Sequence, residues 1–264
     1  MVVVPLLTSI VLLYLLMVVL FYVFQEHLLF RPRLLKETYE FHFNAFFEEL
    51  FISMPDGGRI NALHFRAPLP KGIVIYFHGN ADNLKRWGKY YPDFVDRGYD
   101  FFVYDYRGFG KSTGSFKADT FYEDALRIYE LVLKMYPPEQ IVLYGRSLGT
   151  GIASTLATQV QARSVILETP YDTLYHAIRV RFPLLWLPLP LRYHFQNIDN
   201  MQLIKCPVFI FHGTKDELIR LRSARKLKSL VRNNGKFYII KGGYHKNLPE
   251  FMAYQEAMDE ILEE

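Results

Sequence analysis

Ile141-Val142-Leu143-Tyr144-Gly145-Arg146-Ser147-Leu148-Gly149-Thr150-Gly151 is the stretch that decides the fold. Its first four residues are an apolar run suited to a buried strand, and Leu148 to Val160 is rich in Gly, Ala, Ser and Thr, suited to a helix packed closely on a sheet. Between them stands G-x-S-x-G, Gly145 to Gly149, where a strand must turn sharply into a helix. Such a turn is strained and leaves the Ser147 hydroxyl exposed, and larger side chains two residues either side would collide with the turn or with neighbouring strands.

Outward from this stretch, strand and helix signals alternate. Ala45–Ser53 and Arg59–Arg66 read as a hairpin around Pro55-Asp56-Gly57-Gly58, and Gly72–Phe77 as a strand buried on both faces. Asp82–Asp96 has helical spacing, Asp100–Tyr104 is a strand, and Thr120 with Glu123 resembles a capping box opening a helix that ends before Pro137-Pro138. Ser164–Leu167, Val208–Phe211 and Phe237–Ile240 are further strands. Leu221–Leu230 and residues 250–262 are helices. The expected fold is α/β: a mostly parallel sheet covered by helices on both faces, in one domain with a short insertion.

A serine hydroxyl needs a base, and the base needs a carboxylate to orient it. Asp216 follows the strand Val208–Phe211, and His245 follows Phe237–Ile240, so both fall at the C-terminal edge of the sheet, in the order serine, acid, histidine. Glu217 is the nearest substitute for Asp216. His78 and His212 each precede a glycine at a strand end and are read as loop-organising residues. For the developing oxyanion, the backbone N–H of Asn80 (Ala81 as second choice) and that of Leu148 are the expected donors. No histidine stands at metal-ligand spacing, the glycines of Asp105–Gly110 do not follow the dinucleotide order, and Gly110-Lys111-Ser112 lacks the rest of a phosphate loop. Neither cofactor nor metal is expected.

Five motifs carry a family likeness: His78-Gly79-Asn80-Ala81, Tyr106-Arg107-Gly108-Phe109-Gly110-Lys111-Ser112, Tyr144 to Gly151, His212-Gly213-Thr214-Lys215-Asp216, and Gly243-Tyr244-His245. Residues 70–250 resemble the α/β-hydrolase superfamily. More narrowly they resemble its membrane-associated branch of serine hydrolases, which includes lysophospholipid and monoacylglycerol lipases and protein depalmitoylases. Members of that branch often have glycine where this chain has Asp82, and Val-Pro where it has Ile219-Arg220. The resemblance implies hydrolysis of esters or thioesters without a cofactor.

Residues 1–24 contain no charged side chain. About 20 helical residues span the ~30 Å hydrocarbon core. A cleaved signal would need a basic start and a small-residue cleavage site, and Gln25-Glu26-His27 follows instead. The expected organisation is a transmembrane anchor over 1–24, a linker over 25–45 and a hydrolase domain over 46–264, with a cap insertion at about 172–200. Arg31, Arg33 and Lys36 after the span favour a single-pass topology with the catalytic domain cytoplasmic. Within the insertion, Phe182, Trp186 and Leu187 are expected to form a lid over an acyl pocket, in short helical pieces broken by prolines.

The remaining charge is modest: 31 basic against 27 acidic residues give +4, too little to argue for nucleic acid. The lone Cys206 excludes an internal disulfide. Seven basic residues between Arg220 and Lys236, with no acidic one, suit either a helix solvated beside the acidic C-terminal segment or one facing anionic lipid. The leading expectation is a membrane-anchored serine hydrolase that cleaves acyl esters or thioesters of membrane lipids or lipidated proteins. A serine peptidase or amidase on the same fold, and an inactive interaction module displayed on the membrane, are the alternatives. The oligomeric state is left open.

Overall fold

The computed structural model describes residues 3–181, 190–232 and 234–263. Chain order is α1 (Val3–Leu29), β1 (Arg31–Pro32), β2 (Phe47–Ser53), β3 (Arg59–Phe65), β4 (Gly72–Phe77), β5 (Ala81–Asp82), α2 (Leu84–Trp87), α3 (Pro92–Val95), β6 (Tyr99–Tyr104), α4 (Ala118–Leu133), β7 (Ile141–Arg146), α5 (Leu148–Ala157), β8 (Ser164–Glu168), α6 (Leu174–Arg181), α7 (Asn197–Asn200), β9 (Val208–Gly213), α8 (Leu221–Lys228), β10 (Lys236–Ile240) and α9 (Met252–Glu263).

Eight strands form one sheet in the order β10-β9-β8-β7-β4-β6-β3-β2. The six from β10 to β6 run parallel, and β3 and β2 are antiparallel, joined by the expected hairpin with Ser53 opposite Arg59. Successive side chains of a strand point to opposite faces, so each parallel strand feeds two cores. In β4, Ile73, Ile75 and Phe77 join α4 and α5 on one side, while Val74 and Tyr76 join α2, α3 and α9 on the other. Phe121, Ala125, Ile128 and Val132 recur at helical spacing and bury the inner stripe of α4. This is the expected mostly parallel sheet covered on both faces.

Three local expectations are corrected. The helix expected over Asp82–Asp96 is broken into α2, a 3-10 turn (Gly88–Tyr90) and α3. Asn83 starts α2 by accepting the Lys85 N–H on its side chain, and Pro92, which has no N–H, begins a new helix at its first turn. Thr120 stands inside α4 rather than opening it, because the helix begins at Ala118; its Oγ1 accepts the Lys117 N–H at 3.2 Å. Helix α8 ends at Lys228, two residues short of Leu230.

Helix α1 has 27 residues, enough to rise about 40 Å. It is apolar enough to cross a membrane, with mean hydropathy 2.7. Its apolar side chains from Val4 to Phe24 are mainly exposed, but a stripe at Met17, Phe21, Gln25 and Leu29 turns toward the domain. The feet of the insertion are joined, the Leu174 N–H donating to Phe195 O at 2.9 Å. Phe182, Trp186 and Leu187 lie outside the described residues.

Candidate active site

Ser147 stands between β7 and α5 with φ +52° and ψ −114°, a conformation costly for any residue with a side chain. Close packing around the turn forces it. A Cβ on Gly149 would lie 1.9 Å from Phe77 O, and one on Gly145 would lie 2.5 Å from Gly149 O. Glycine at 149 therefore lets the elbow approach the end of β4, and glycine at 145 lets the turn close on the start of α5. The Ser147 N–H is tied to Glu168 O of β8 at 2.9 Å, which holds the turn against the next strand.

The acid and the histidine come from loops that also meet through glycine. The Lys215 N–H donates to Gly243 O at 2.9 Å, and a Cβ on Gly213 would sit 2.1 Å from that same oxygen. This crossing brings His245 Nδ1 to 2.8 Å from Asp216 Oδ2 and His245 Nε2 to 3.0 Å from Ser147 Oγ. A carboxylate only accepts, so Nδ1 carries the proton and Nε2 is left to accept from the serine hydroxyl. Asp216 and His245 are buried. Asp216 Oδ1 accepts the N–H groups of Leu218 and Ile219 at 2.9 and 2.8 Å, which fixes the carboxylate without using the oxygen that faces the histidine. Glu217 is exposed and is not among the residues lining the cleft. Sequence reasoning thus named three residues that the fold brings into one hydrogen-bonded chain.

His78 and His212 organise loops. His212 Nε2 donates to Ile219 O at 2.9 Å, across the turn that carries Asp216, and burial pushes the imidazole pKa down, favouring the neutral form. His78 is fully buried, its ring stacked on Trp87, with Nδ1 2.7 Å from Gly79 O. The backbone N–H of Asn80 donates to no described residue. That of Leu148 opens α5, where a helix has no internal acceptor for its first N–H groups. Both residues line the same cleft as Ser147.

The cleft encloses about 260 Å³. Leu28 and Leu29 at the end of α1, Leu174 and Ile178 of α6, and Leu218 and Ile219 beyond Asp216 make its apolar wall. Arg31, Arg86, Arg146, Arg181 and Lys246 reach the same space, and no Asp or Glu does among the described residues. Two contributors were missed in the sequence. Arg146, the variable residue of G-x-S-x-G, is buried with Nε 3.3 Å from Glu168 Oε1, and it lies over the Tyr90 ring at 4.7 Å. Glu168 also accepts the Tyr144 hydroxyl at 2.6 Å. Their signal was visible: a charged residue closing each of two otherwise apolar strands. The end of α1 carried no comparable signal, because its place at the cleft depends on how the helix docks.

Comparison with known proteins agrees with this architecture. Residues 68–189 match the family model described as serine aminopeptidase, S33. Alpha/beta hydrolase domain-containing protein 17B of Xenopus laevis and of Homo sapiens are each 29% identical over 213 residues, covering 78% of this chain and 72% of the relative. An esterase of Pyrococcus furiosus superposes with a TM-score of 0.69 at 19% identity, over 89% of this chain and 97% of that one. Acetyl xylan esterase 1 from Thermoanaerobacterium gives 0.67 at 19% identity, over 87% and 86%. Sheet order, the strained serine between β7 and α5, and likeness along most of the chain agree: this chain has the α/β-hydrolase fold and is similar in sequence to alpha/beta hydrolase domain-containing protein 17B.

Proposed function

We propose that the chain is a membrane-anchored serine hydrolase that cleaves acyl esters or thioesters of membrane lipids or lipidated proteins. One observation carries the reading: His245 lies within hydrogen-bond reach of both Ser147 Oγ and Asp216 Oδ2, through opposite ring nitrogens. In this reading His245 takes the Ser147 proton as the oxygen attacks the acyl carbon, and Asp216 steadies the imidazolium. The oxyanion then rests on the backbone N–H groups of Asn80 and Leu148, each worth about 3 kcal/mol to the transition state. Collapse releases the alcohol or thiol, protonated by His245, and leaves an acyl-Ser147 ester. Water, deprotonated by the same histidine, frees the acid and restores the serine.

The lining of the cleft supports an acyl substrate over a peptide with a free amine, although the matching family model is named for a serine aminopeptidase. An aminopeptidase needs a carboxylate to hold the ammonium group. Asp82 is committed to Arg33 and Arg86, at 3.2 and 2.7 Å, and Glu217 lies outside the cleft lining. A basic rim repels an ammonium ion and tolerates an anionic headgroup. An inactive module would have no use for a strained serine aligned with a base and an acid.

The basic segment from Arg220 to Lys236 is partly neutralised by acidic residues of neighbouring elements. Lys226 is paired with Asp172, and Lys236 reaches Glu260 of α9 at 3.1 Å, so carboxylates outside the segment offset some of its charge. For topology, Arg31, Arg33 and Lys36 after α1 support a cytoplasmic domain.

A fluorophosphonate probe should label wild-type protein at Ser147 alone, and Ser147→Ala should take up none. An ester panel run alongside should show turnover rising from acetyl to medium-chain acyl groups. Label on the alanine variant would sink the nucleophile assignment, and a panel that peaks at acetyl would remove the lipid-acyl reading. Protease protection of a C-terminal tag in sealed vesicles tests the orientation.

A further inference from the structure

A membrane anchor needs only to tether, yet α1 is built into the domain at two levels. Gln25, a polar residue with no exposed surface, accepts the Arg192 N–H on Oε1 at 2.9 Å and donates from Nε2 to Pro190 O at 3.3 Å. Glu26 accepts the Tyr193 hydroxyl at 2.8 Å, and Phe30 packs edge-on against Phe116 and Tyr193. These contacts bind the helix to the foot of the insertion.

The second level is the loop after β4. The last carbonyls of a helix have no acceptor role left within it. Leu29 O, at the end of α1, takes a hydrogen bond from Asn80 Nδ2 at 2.6 Å. Two residues on, the Arg31 N–H donates to Asn80 O at 2.8 Å, and the Arg33 N–H to Asp82 O at 3.3 Å, so that β1 and β5 form a parallel ladder. Asn80 is therefore gripped by side chain and carbonyl, while its N–H has no partner among the described residues and the residue itself lines the cleft. Asp82 is held at φ +68°, with its carboxylate between Arg33 and Arg86. A strained backbone of this kind persists only where surrounding contacts over-determine it.

We infer that the last turn of α1 positions the oxyanion loop, with the Asn80 side chain as the positioning group, so that hydrolysis is coupled to how the anchor is seated. This rests on the hydrolase reading above, because only a reaction through an oxyanion gives that loop a task. Displacement of a donor by even an ångström costs rate without touching the nucleophile.

The test uses full-length protein in lipid nanodiscs and a water-soluble nitrophenyl acetate, so that entry from the bilayer plays no part. Active sites are titrated with a fluorophosphonate, and kcat is expressed per titrated site. Asn80→Ala keeps the backbone N–H and loses only the grip on Leu29 O; its kcat per site should fall at least about tenfold, with KM little changed. Arg31→Pro and Arg31→Ala both lack the guanidinium, but only the proline lacks the N–H to Asn80 O. The proline variant should show a similar fall relative to the alanine variant. Unchanged kcat per site in Asn80→Ala and in the proline–alanine pair would overturn the inference, as would a loss confined to the number of titratable sites. Wild-type protein that neither labels nor turns over would overturn the hydrolase reading itself, and the inference with it.

Discussion

On one side of the cleft, Ser147, Asp216 and His245 each sit in a turn just beyond the C-terminal end of a parallel strand. On the other, Leu28, Leu29, Leu174 and Ile178 come from two helices that the chain supplies far apart. The first wall is made by local motifs whose glycines permit close crossings of backbone. The second is made by docking, through Gln25, Asn80 and the feet of the insertion. The difference separates reactivity from selectivity: changes in the strand-edge wall should abolish turnover, and changes in the helix wall should reshape it.

The largest effect is expected at the strand edge. Ser147→Ala, His245→Ala and Asp216→Asn should each reduce kcat/KM for a short ester by at least about a thousandfold, with melting temperature nearly unchanged. If Glu217→Gln, and not Asp216→Asn, abolished turnover, the acid would move to the neighbouring residue and the comparison would lose its best-defined member.

Behind the serine, Glu168 is buried between Arg146 and the Tyr144 hydroxyl. Glu168→Ala strands a buried guanidinium and should cost about 3–5 kcal/mol of stability in urea titration. A cost below about 1 kcal/mol would mean that the Lys246 carbonyl, 2.8 Å from Arg146, and the aromatic rings suffice to hold that cation.

The helix wall should respond to acid. Burial pushes the Asp172 carboxyl up, but bonds from Lys226, Ser223, the Thr173 N–H and His176 more than reverse this and hold it at about 2, against an ordinary 3.8. Its contribution is complete above pH ~4 and is lost as pH falls through about 2. The depression is worth about 2 kcal/mol. Asp172→Asn should lower stability near neutral pH by that order and flatten the acid limb between pH ~4 and ~2. An acid limb identical to wild type would show that other carboxylates dominate it.

Smallest per step is the effect of acyl length. Each methylene buried against Leu174 and Ile178 should add about 0.8 kcal/mol at most, until the cleft is full. Leu174→Ser with Ile178→Ser should flatten the rise of kcat/KM with chain length while sparing the acetyl ester. Equal losses on every ester would instead make these residues supports of α6.

Legibility followed the same division. The elbow was readable because a strand, a glycine-bounded serine and a small-residue helix are contiguous, and Asp216 and His245 because each follows an apolar run closed by glycine. Helix boundaries near Asp82–Asp96 were not readable. Capping by Asn83 and the missing N–H of Pro92 overrode an apolar spacing that suited one helix. The loop after β4 was legible as the motif His78-Gly79-Asn80-Ala81, but not that the Asn80 side-chain amide donates to Leu29 O at the end of α1.

By itself, then, the sequence determined the sheet-and-helix alternation and the placing of Ser147, Asp216 and His245 each beyond the end of a strand, because each of those signals rests on residues within a few positions of one another. Tertiary structure alone decided which atoms meet: the 3.0 Å approach of His245 to Ser147, the Arg146–Glu168 pair behind it, and the seat of α1 against the cleft. Such contacts join residues 22 to 98 positions apart, and a hydrogen bond or an ion pair leaves no periodicity in a chain from which to read its partner.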